Sequence, residues 1–579
     1  MPVGQSKETT AVRLLVEYLK GEGVEYIFGI PGAPLMPFYE ALHDMGGIKP
    51  ILAKHEGGAA FMADGYARAG GKLGVCCSTT GPGATNLLTG VACSFADSIP
   101  LLVLTAQVST SSFGKGAVQE STCHGIDVVE MFKPVTKSSV MLHSPEKMGD
   151  VFRSLLRVAL SGRKGPVHLN IPVDFMKKNV KAHIVPPNCY RVTAGQFDRN
   201  AVKEASRLLL KARHPAILAG NGVNLAGAQK ELRRLAELLR IPVATSPKAK
   251  GAFPENHILS LGVFGFGASA QAEKYLLSGE VDVLLVVGTS LGEPATCGWD
   301  LRLEPSEAMV QMDIDPKEIG KNYPATQGIL GDAKAVLNEL NYQLERDSRW
   351  LEKGPLNERE EKITKFKTGV SRFDAPEKMF SGAVPLKPQR IMKEMRDILP
   401  DDAILFIDIG TAMFWALHYF PVYEPDTFYI NMGLGSMGHA VAGCIGGKLA
   451  RPDKPVVALT GDAAFAMNGM EVHTASEIGV PVIWIVLNNG GHGMVYHGER
   501  LQFSGKFATG IFKHPIDVAG IGRSLGAEVF EVSDGAGFSS ALESALKTEA
   551  PCVIDVRVDI EEMPPMGHRI KTLDKIFAG

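Results

Sequence analysis

Asp462 and Asn489 are the residues whose types and spacing best suit a hard metal ion. They stand in Gly461-Asp462-Ala463, then 24 residues, then Asn488-Asn489. A carboxylate and an amide oxygen are the donors that Mg²⁺ accepts, usually shared with phosphate oxygens. Ala463 and Ala464 leave room, and a helix starting there presents free N–H groups to an anion. The elements around them supply the placement. Pro455 to Thr460 is an apolar run of buried-strand character, Met467 to Ile478 has helical spacing, and Val480 to Leu487 is a second apolar run. Together they read as one βαβ unit with both strand ends on one edge of a parallel sheet, where open α/β sheets bind ligands. The unit suits a Mg²⁺-diphosphate, although Gly-Asp and Asn-Asn pairs also occur in ordinary polar turns.

A second group lies near the start. Glu56 stands between a strand end, Ile51-Leu52-Ala53, and a stretch rich in Ala and Gly. Two readings fit it. One is an acid favoured by a helix dipole; the other is a half-buried carboxyl that exchanges a proton with a nitrogen base. Gly81-Pro82-Gly83 reads as a strand-to-helix turn.

At 579 residues the chain is too long for one core, and about 150 residues per domain suggests three or four. Hydrophobic residues at 45% and charged residues at 21% are globular values. A net charge of −3 argues against nucleic acid or an acidic membrane surface as partner. No apolar stretch reaches membrane-spanning length, and Met1 to Lys7 lacks the apolar core of a secretory signal, so a cytoplasmic location is expected. The eight cysteines show no zinc spacing and read as buried free thiols. Residues 1–185 alternate strand and helix, with a helix expected over about 8–21 and strands at Tyr26–Ile30, Gly74–Thr80 and Pro100–Ala106. Residues 190–345 form a second unit, with strands at Ile241–Thr245, Val281–Gly288 and Ala308–Ile314 and a helix over roughly 227–239. Residues 346–386 are charged and turn-rich, and read as a surface linker. A third unit spans 387–579, opening on the strand Ala403–Gly410 and ending on the strand Pro551–Val558.

Taken together, these pieces resemble the thiamine diphosphate-dependent enzymes, and among them the catalytic large subunits of acetolactate synthase. The resemblance rests on His55-Glu56-Gly57-Gly58-Ala59-Ala60 through Arg68, on Gly81 to Leu87, and on Gln119-Glu120. It rests further on Gly433 to Gly438, on the Gly461–Asn489 unit, and on Gly493-Met494-Val495, all in family order. It implies an α/β fold of three doubly wound parallel-sheet domains: pyrimidine-binding, central and diphosphate-binding. It implies thiamine diphosphate and Mg²⁺ as cofactors, the metal held by Asp462, Asn489 and the backbone oxygen of Gly491. Glu56 would hydrogen-bond N1′ of the aminopyrimidine, so that the 4′-nitrogen can take the proton from thiazolium C2. Gln119 would act beside it, and Met437 would prop the bent cofactor, a packing role suited to a soft side chain. Pro31, Gly81, Asn86, Gly410, Thr411, Ala412, Gly435, Gly461, Ala463, Ala464 and Met494 would complete the cofactor site. The implied reaction is decarboxylation of a pyruvate-like 2-oxo acid and carboligation of the resulting enamine to an acceptor. Active sites would lie at the interface of a homodimer or dimer of dimers, with a regulatory small subunit as an optional partner.

The chain departs from the family's pattern at four places. Gly288 to Glu293 replaces a family run that carries an arginine for flavin and acceptor. No Trp follows Gly493-Met494-Val495, Val118 stands before Gln119 in place of Phe, and Ala33 replaces a glycine. These changes keep a second reading open, a 2-oxo-acid decarboxylase or an acyl-transferring relative such as a sulfoacetaldehyde acetyltransferase. They also speak against FAD in the central domain. There the turns Gly262–Gly267 and Asp313–Pro316 fall where the family's flavin lies, and another nucleotide or an empty domain are the alternatives. A non-catalytic regulatory homologue is the third reading, opposed by the presence of Glu56, Asp462 and Asn489.

Overall fold

The computed structural model describes residues 7–191, 195–346 and 356–577. The apolar runs become strands because helices cover both faces of each sheet, which is where continuous Val/Ile/Leu segments are stable. In the first unit the strands are β1 (Lys7–Thr10), β2 (Tyr26–Ile30), β3 (Lys49–Leu52), β4 (Gly74–Ser78), β5 (Leu101–Gln107), β6 (Ser138–Met141), β7 (Val167–Pro172) and β8 (Asn179–Ala182). The central unit has β9 (Ala216–Ala219), β10 (Val243–Thr245), β11 (Ser260–Val263), β12 (Val283–Val287), β13 (Ala308–Asp313) and β14 (Gln327–Leu330). The last has β15 (Ile404–Ile407), β16 (Phe428–Ile430), β17 (Val456–Gly461), β18 (Ile483–Asn488), β19 (Glu528–Val532) and β20 (Cys552–Arg557).

Three six-stranded sheets result, with orders β3-β2-β4-β5-β7-β6, β11-β10-β9-β12-β13-β14 and β16-β15-β17-β18-β20-β19. All their pairings are parallel. Counted from its own first strand, the first sheet runs 2-1-3-4-6-5, and so does the third. The central sheet runs 3-2-1-4-5-6, the dinucleotide-fold order. The central order reverses direction once; the first and third reverse beside their first strand and again at the far edge, and the switch point beside the first strand is where a crevice opens beyond the strand ends.

Several expected elements differ. The helix expected over 8–21 begins at Ala11, because Lys7–Thr10 pairs antiparallel with β8 and Thr10 then caps the helix through Oγ1. The helical stretch expected at Met467–Ile478 starts at Asp462 and is interrupted at Gly469-Met470, giving helices Asp462–Asn468 and Glu471–Ile478. The helix expected at 227–239 begins at Gln229, after a short turn of helix over Gly222–Ala226. Within 346–386, residues 347–355 lie outside the described residues, and Leu356–Gly369 is a helix. Arg359 on that helix is buried and donates to the carbonyls of Leu209, Ala212 and Leu239, tying it to the central unit. Two of the thiols expected to be buried, Cys123 and Cys189, are exposed.

The first and third units pack chiefly through one helix of each. Helix Glu56–Gly70 lies against His439–Ala450 so closely that a Cβ on Gly65 would stand 2.0 Å from the Gly443 carbonyl oxygen. Thirteen of the 15 residues of Glu56–Gly70 are buried. Small residues in both helices allow this contact, and interiors packed to this density tolerate no added methyl.

Candidate active site

At the switch point of the third sheet, β15 and β17 diverge and their ends carry Gly410 and Gly461. Gly410 has φ +136°, a backbone that only glycine adopts without strain, and nothing lies within 4 Å of where its Cβ would be. Helix Thr411–Tyr419 starts there, with Ala412 buried behind its first turn. The second helix starts at Asp462, with Ala463 and Ala464 buried. Two helix N-termini thus open on one space, as an anion-binding site requires. Gly490, with φ +76°, also faces open space.

Asp462 is 1% exposed, and its Oδ2 accepts from the backbone N–H groups of Gly490 (2.9 Å) and Gly491 (3.2 Å). The same Gly491 N–H reaches Asn489 Oδ1 at 3.2 Å. The turn after β18 therefore gathers the two side-chain oxygens onto one amide. Burial pushes the Asp462 carboxyl up to about 6, against the opposing pull of those N–H groups. A carboxylate so placed is short of positive charge, and its donor set is all oxygen, the set Mg²⁺ takes. Among the described residues no cluster of three or more His, Cys, Asp or Glu offers a metal a site made of those side chains alone. The metal reading therefore needs Asn489, a backbone oxygen and outside oxygens. A Cβ on Gly493 would stand 2.4 Å from Asn489 Nδ2 and 3.2 Å from Thr411 Cγ2, so the Gly410 turn and the Asn489–Gly493 turn are neighbours. Met494, half-buried, packs on the core beside them.

Met437 is on the loop before the His439–Ala450 helix, and that loop is held at three points. Gly433 N–H donates to Asp97 Oδ1 (3.0 Å), Asn431 Nδ2 to Cys93 Sγ (3.1 Å), and Gly438 N–H to Asp408 Oδ1 (2.9 Å). Asp408 also accepts from Ile409 N–H and from Thr460 Oγ1, so one buried carboxylate joins the Gly410 turn, the Met437 loop and β17. Burial pushes Asp408 up to about 6. Gly435, with φ +79°, faces open space. Behind the loop His439 Nε2 meets Asp64 Oδ1 at 2.6 Å, and Arg68 bridges Asp64 and Asp97. Burial opposes ionisation of Asp64, but Arg68 and His439 hold its carboxyl below the usual range.

The residues of the first unit gather at the ends of β2 and β4. Glu56 is 8% exposed and opens its helix, after His55 has capped the Gly57 N–H through Nδ1 (3.0 Å). Its Oε2 accepts from Asn86 Nδ2 at 2.9 Å, and a Cβ on Gly83 would crowd Oε1 at 3.2 Å. Gly81 has φ +65° and its N–H donates to Ser121 Oγ. Gln119, itself at φ +63°, lies against Gly81, and its carbonyl accepts from Thr80 Oγ1 at 3.0 Å. The Pro31-Gly32 turn abuts Thr79, whose Oγ1 would be 2.4 Å from a Cβ on Gly32.

The expected residues thus form two clusters on two sheets, the Glu56 set and the Asp462 set. Sequence reasoning passed over Asp408 and Glu471. Asp408 carries one signal, a lone acid closing an apolar strand. Glu471 carries none, because a Glu in a helix of mixed character reads as a solvent-facing residue.

Elsewhere, a cavity of about 360 Å³ opens at the central sheet's switch point, lined from all three units by residues including Asp97, Arg163, Gly222, Lys248, Asp313 and Gly433. Asp313 and Ile314, in the turn where the resemblance would put the family's flavin, are among its lining residues. The Gly262–Gly267 turn is not part of its lining; a Cβ on Gly267 would instead meet Leu417 Cβ at 2.7 Å. Glu293, in the run that lacks the family's arginine, pairs with Arg569 of the C-terminal helix (2.6 Å).

Two strand-end clusters, glycine turns facing open space and an all-oxygen donor set are what an enzyme holding a phosphorylated cofactor needs. Residues 9–131, 202–340 and 408–556 match the thiamine pyrophosphate enzyme N-terminal TPP binding domain, central domain and C-terminal TPP binding domain. The chain belongs to the thiamine pyrophosphate enzyme family. Its relatives there carry a more particular name. It is 36% identical to the probable acetolactate synthase large subunit of Methanocaldococcus jannaschii, over 95% of this chain and 92% of that one. It is 32% identical to the acetolactate synthase isozyme 3 large subunit of Escherichia coli, over 98% of each. Among the described residues no helix is long and apolar enough to cross a membrane.

Proposed function

We propose that the protein decarboxylates a pyruvate-like 2-oxo acid and joins the remaining two-carbon unit to an acceptor, as an acetolactate synthase-like carboligase using thiamine diphosphate and Mg²⁺. The carrying observation is the convergence of Asp462 and Asn489 oxygens on the Gly491 amide at the mouth of two helix N-termini. Asp462, Asn489 and the Gly491 carbonyl hold the metal. The turns at Gly410-Thr411-Ala412 and Gly461 to Ala464 offer N–H groups to the diphosphate. Bound there, thiamine diphosphate supplies the electron sink that loss of CO₂ requires. Glu56 holds a proton at the aminopyrimidine nitrogen, with Asn86 orienting its carboxyl and Pro31, Gly81 and Gln119 closing that side. Met437, Gly435 and Met494 shape the space between the two halves.

The halves belong to different copies of the chain. Exposed apolar side chains flank both clusters: Leu52 and Val118 on the Glu56 side, Met467 and Met470 beyond Asp462, and Leu434 next to Met437. Bare apolar surface concentrated around an open site favours a partner surface, here a second copy, with a dimer of dimers and a regulatory small subunit as further assembly. Proposed domain limits are 1–185, 190–345 and 387–579, with 346–386 as linker. The absence of the arginine-bearing run speaks against FAD in the central cavity and leaves another nucleotide or an empty domain. Product analysis by mass spectrometry with thiamine diphosphate, Mg²⁺ and pyruvate, with and without aldehydes, tests the reading. A carboligation product supports it, and acetaldehyde alone replaces it with the decarboxylase reading.

A further inference from the structure

Glu471 belongs to neither cluster, yet it makes the most direct polar contact between the third unit and the start of the Glu56 helix. It is 1% exposed. Its Oε1 accepts from the backbone N–H groups of Lys54 (3.1 Å) and His55 (3.0 Å), and its Oε2 from Lys54 N–H (3.2 Å) and Thr474 Oγ1 (2.7 Å). Thr474 also reaches the Leu52 carbonyl (3.4 Å), and Lys54 Nζ pairs with Glu477 (2.7 Å). Helix Glu471–Ile478 therefore grips the turn between β3 and the Glu56 helix. Gly58 makes room: a Cβ there would stand 2.2 Å from Glu471 Oε1.

We propose that Glu471 is the positioning residue for Glu56. It acts through the Lys54 and His55 amides, which fix where the Glu56 helix begins. The inference rests on the role given to Glu56 above. Both carboxylate oxygens are occupied by these donors, so Glu471 has no oxygen left for a substrate. The two N–H groups lie between a strand end and a helix start, where no ladder or helical bond serves them. Glu56 follows His55 directly, and a chain spans at most about 3.6 Å per residue, so a shift of the turn passes almost undiminished to Glu56. A misplacement of about 1 Å at a reacting group costs on the order of 10²-fold in rate.

The test uses the full chain with three variants, Glu471→Gln, Glu471→Ala and Gly58→Ala, the last displacing the carboxylate without removing it. Hydrogen exchange by mass spectrometry on peptides covering 52–58 is read without cofactor. Exchange of the thiazolium C2 proton is then read by NMR with thiamine diphosphate and Mg²⁺ bound, beside cofactor Kd, kcat and KM. Expected are lost protection at 54–55, C2 exchange and kcat down by on the order of 10²-fold for Glu471→Ala and Gly58→Ala, less for Glu471→Gln, and Kd and KM within about threefold. Wild-type C2 exchange despite lost protection overturns the proposal. So does unchanged protection, or Kd and kcat worsening together. Should Glu471→Ala fail to fold, the other two variants decide. A wild-type protein that binds no thiamine diphosphate would sink the functional reading instead, while cofactor-free exchange still judges the clamp.

Discussion

Replacing Glu56 by Gln separates its chemical role from its structural one. In the folded chain Glu56 Oε2 accepts a 2.9 Å hydrogen bond from Asn86 Nδ2, and Gln offers an oxygen in the same place. What changes on the folding side is one bond to a charged acceptor becoming one to a neutral acceptor, a difference of about 1 kcal/mol. Glu56 is on the first sheet's side and Asp462 on the third's, so metal-dependent cofactor affinity should stay within about threefold, far from the tenfold that 1.4 kcal/mol represents. Turnover behaves differently. Gln cannot hold or release the proton at the aminopyrimidine nitrogen, and general acid–base contributions run to about 10²–10⁴-fold. At 1.36 kcal/mol per decade this is about 2.7–5.4 kcal/mol of barrier, well above the stability change. The assay is C2-proton exchange of bound thiamine diphosphate by NMR, with circular dichroism and calorimetric Kd on the same samples. Exchange at the wild-type rate would refute the reasoning and leave Glu56 a helix-end acid.

Three further outcomes are expected. Asp462→Ala removes one of the two proposed side-chain metal ligands and should weaken Mg²⁺-dependent thiamine diphosphate binding by at least about 10–100-fold in calorimetric titration, and chelation of wild-type protein should have the same effect. Asp408, pushed up to about 6 by burial from the ordinary aspartate value of 3.8, binds its proton more tightly folded than unfolded. The stability it contributes is therefore present below about pH 4 and lost as pH rises through 6, amounting to about 3 kcal/mol. Asp408→Asn does not titrate, so its Tm advantage over wild type should grow between pH 4 and 6 and then level off in thermal melts of cofactor-free protein. Glu255→Ala strands Lys250 (2.8 Å) and Arg372 (2.6 Å), which it pairs in the interior, and should cost about 3–5 kcal/mol in denaturant melts.

The sequence by itself determined the three α/β units, the Gly461–Asn489 βαβ and the residues of both clusters. Those properties are local: a run of Val, Ile and Leu between glycines becomes a buried parallel strand, and a residue at its end faces the crevice. Residue type also decided that Asp462 and Asn489 carry the side-chain oxygens that the proposed metal would take. The helix break at Gly469-Met470 escaped the periodicity reading, because glycine and methionine do not interrupt an apolar pattern. Glu8–Thr10 read as helix because their strand partner β8 is about 170 residues away. Only the tertiary structure decided that Glu471 is buried, that its carboxylate serves Lys54 and His55, and that Asp408 ties the Gly410 turn, the Met437 loop and β17 together. Helical spacing fixes which face a residue occupies, but what covers that face comes from another part of the chain. Here the cover is the first unit, brought within contact because Gly58, Gly65 and Gly446 carry no side chains.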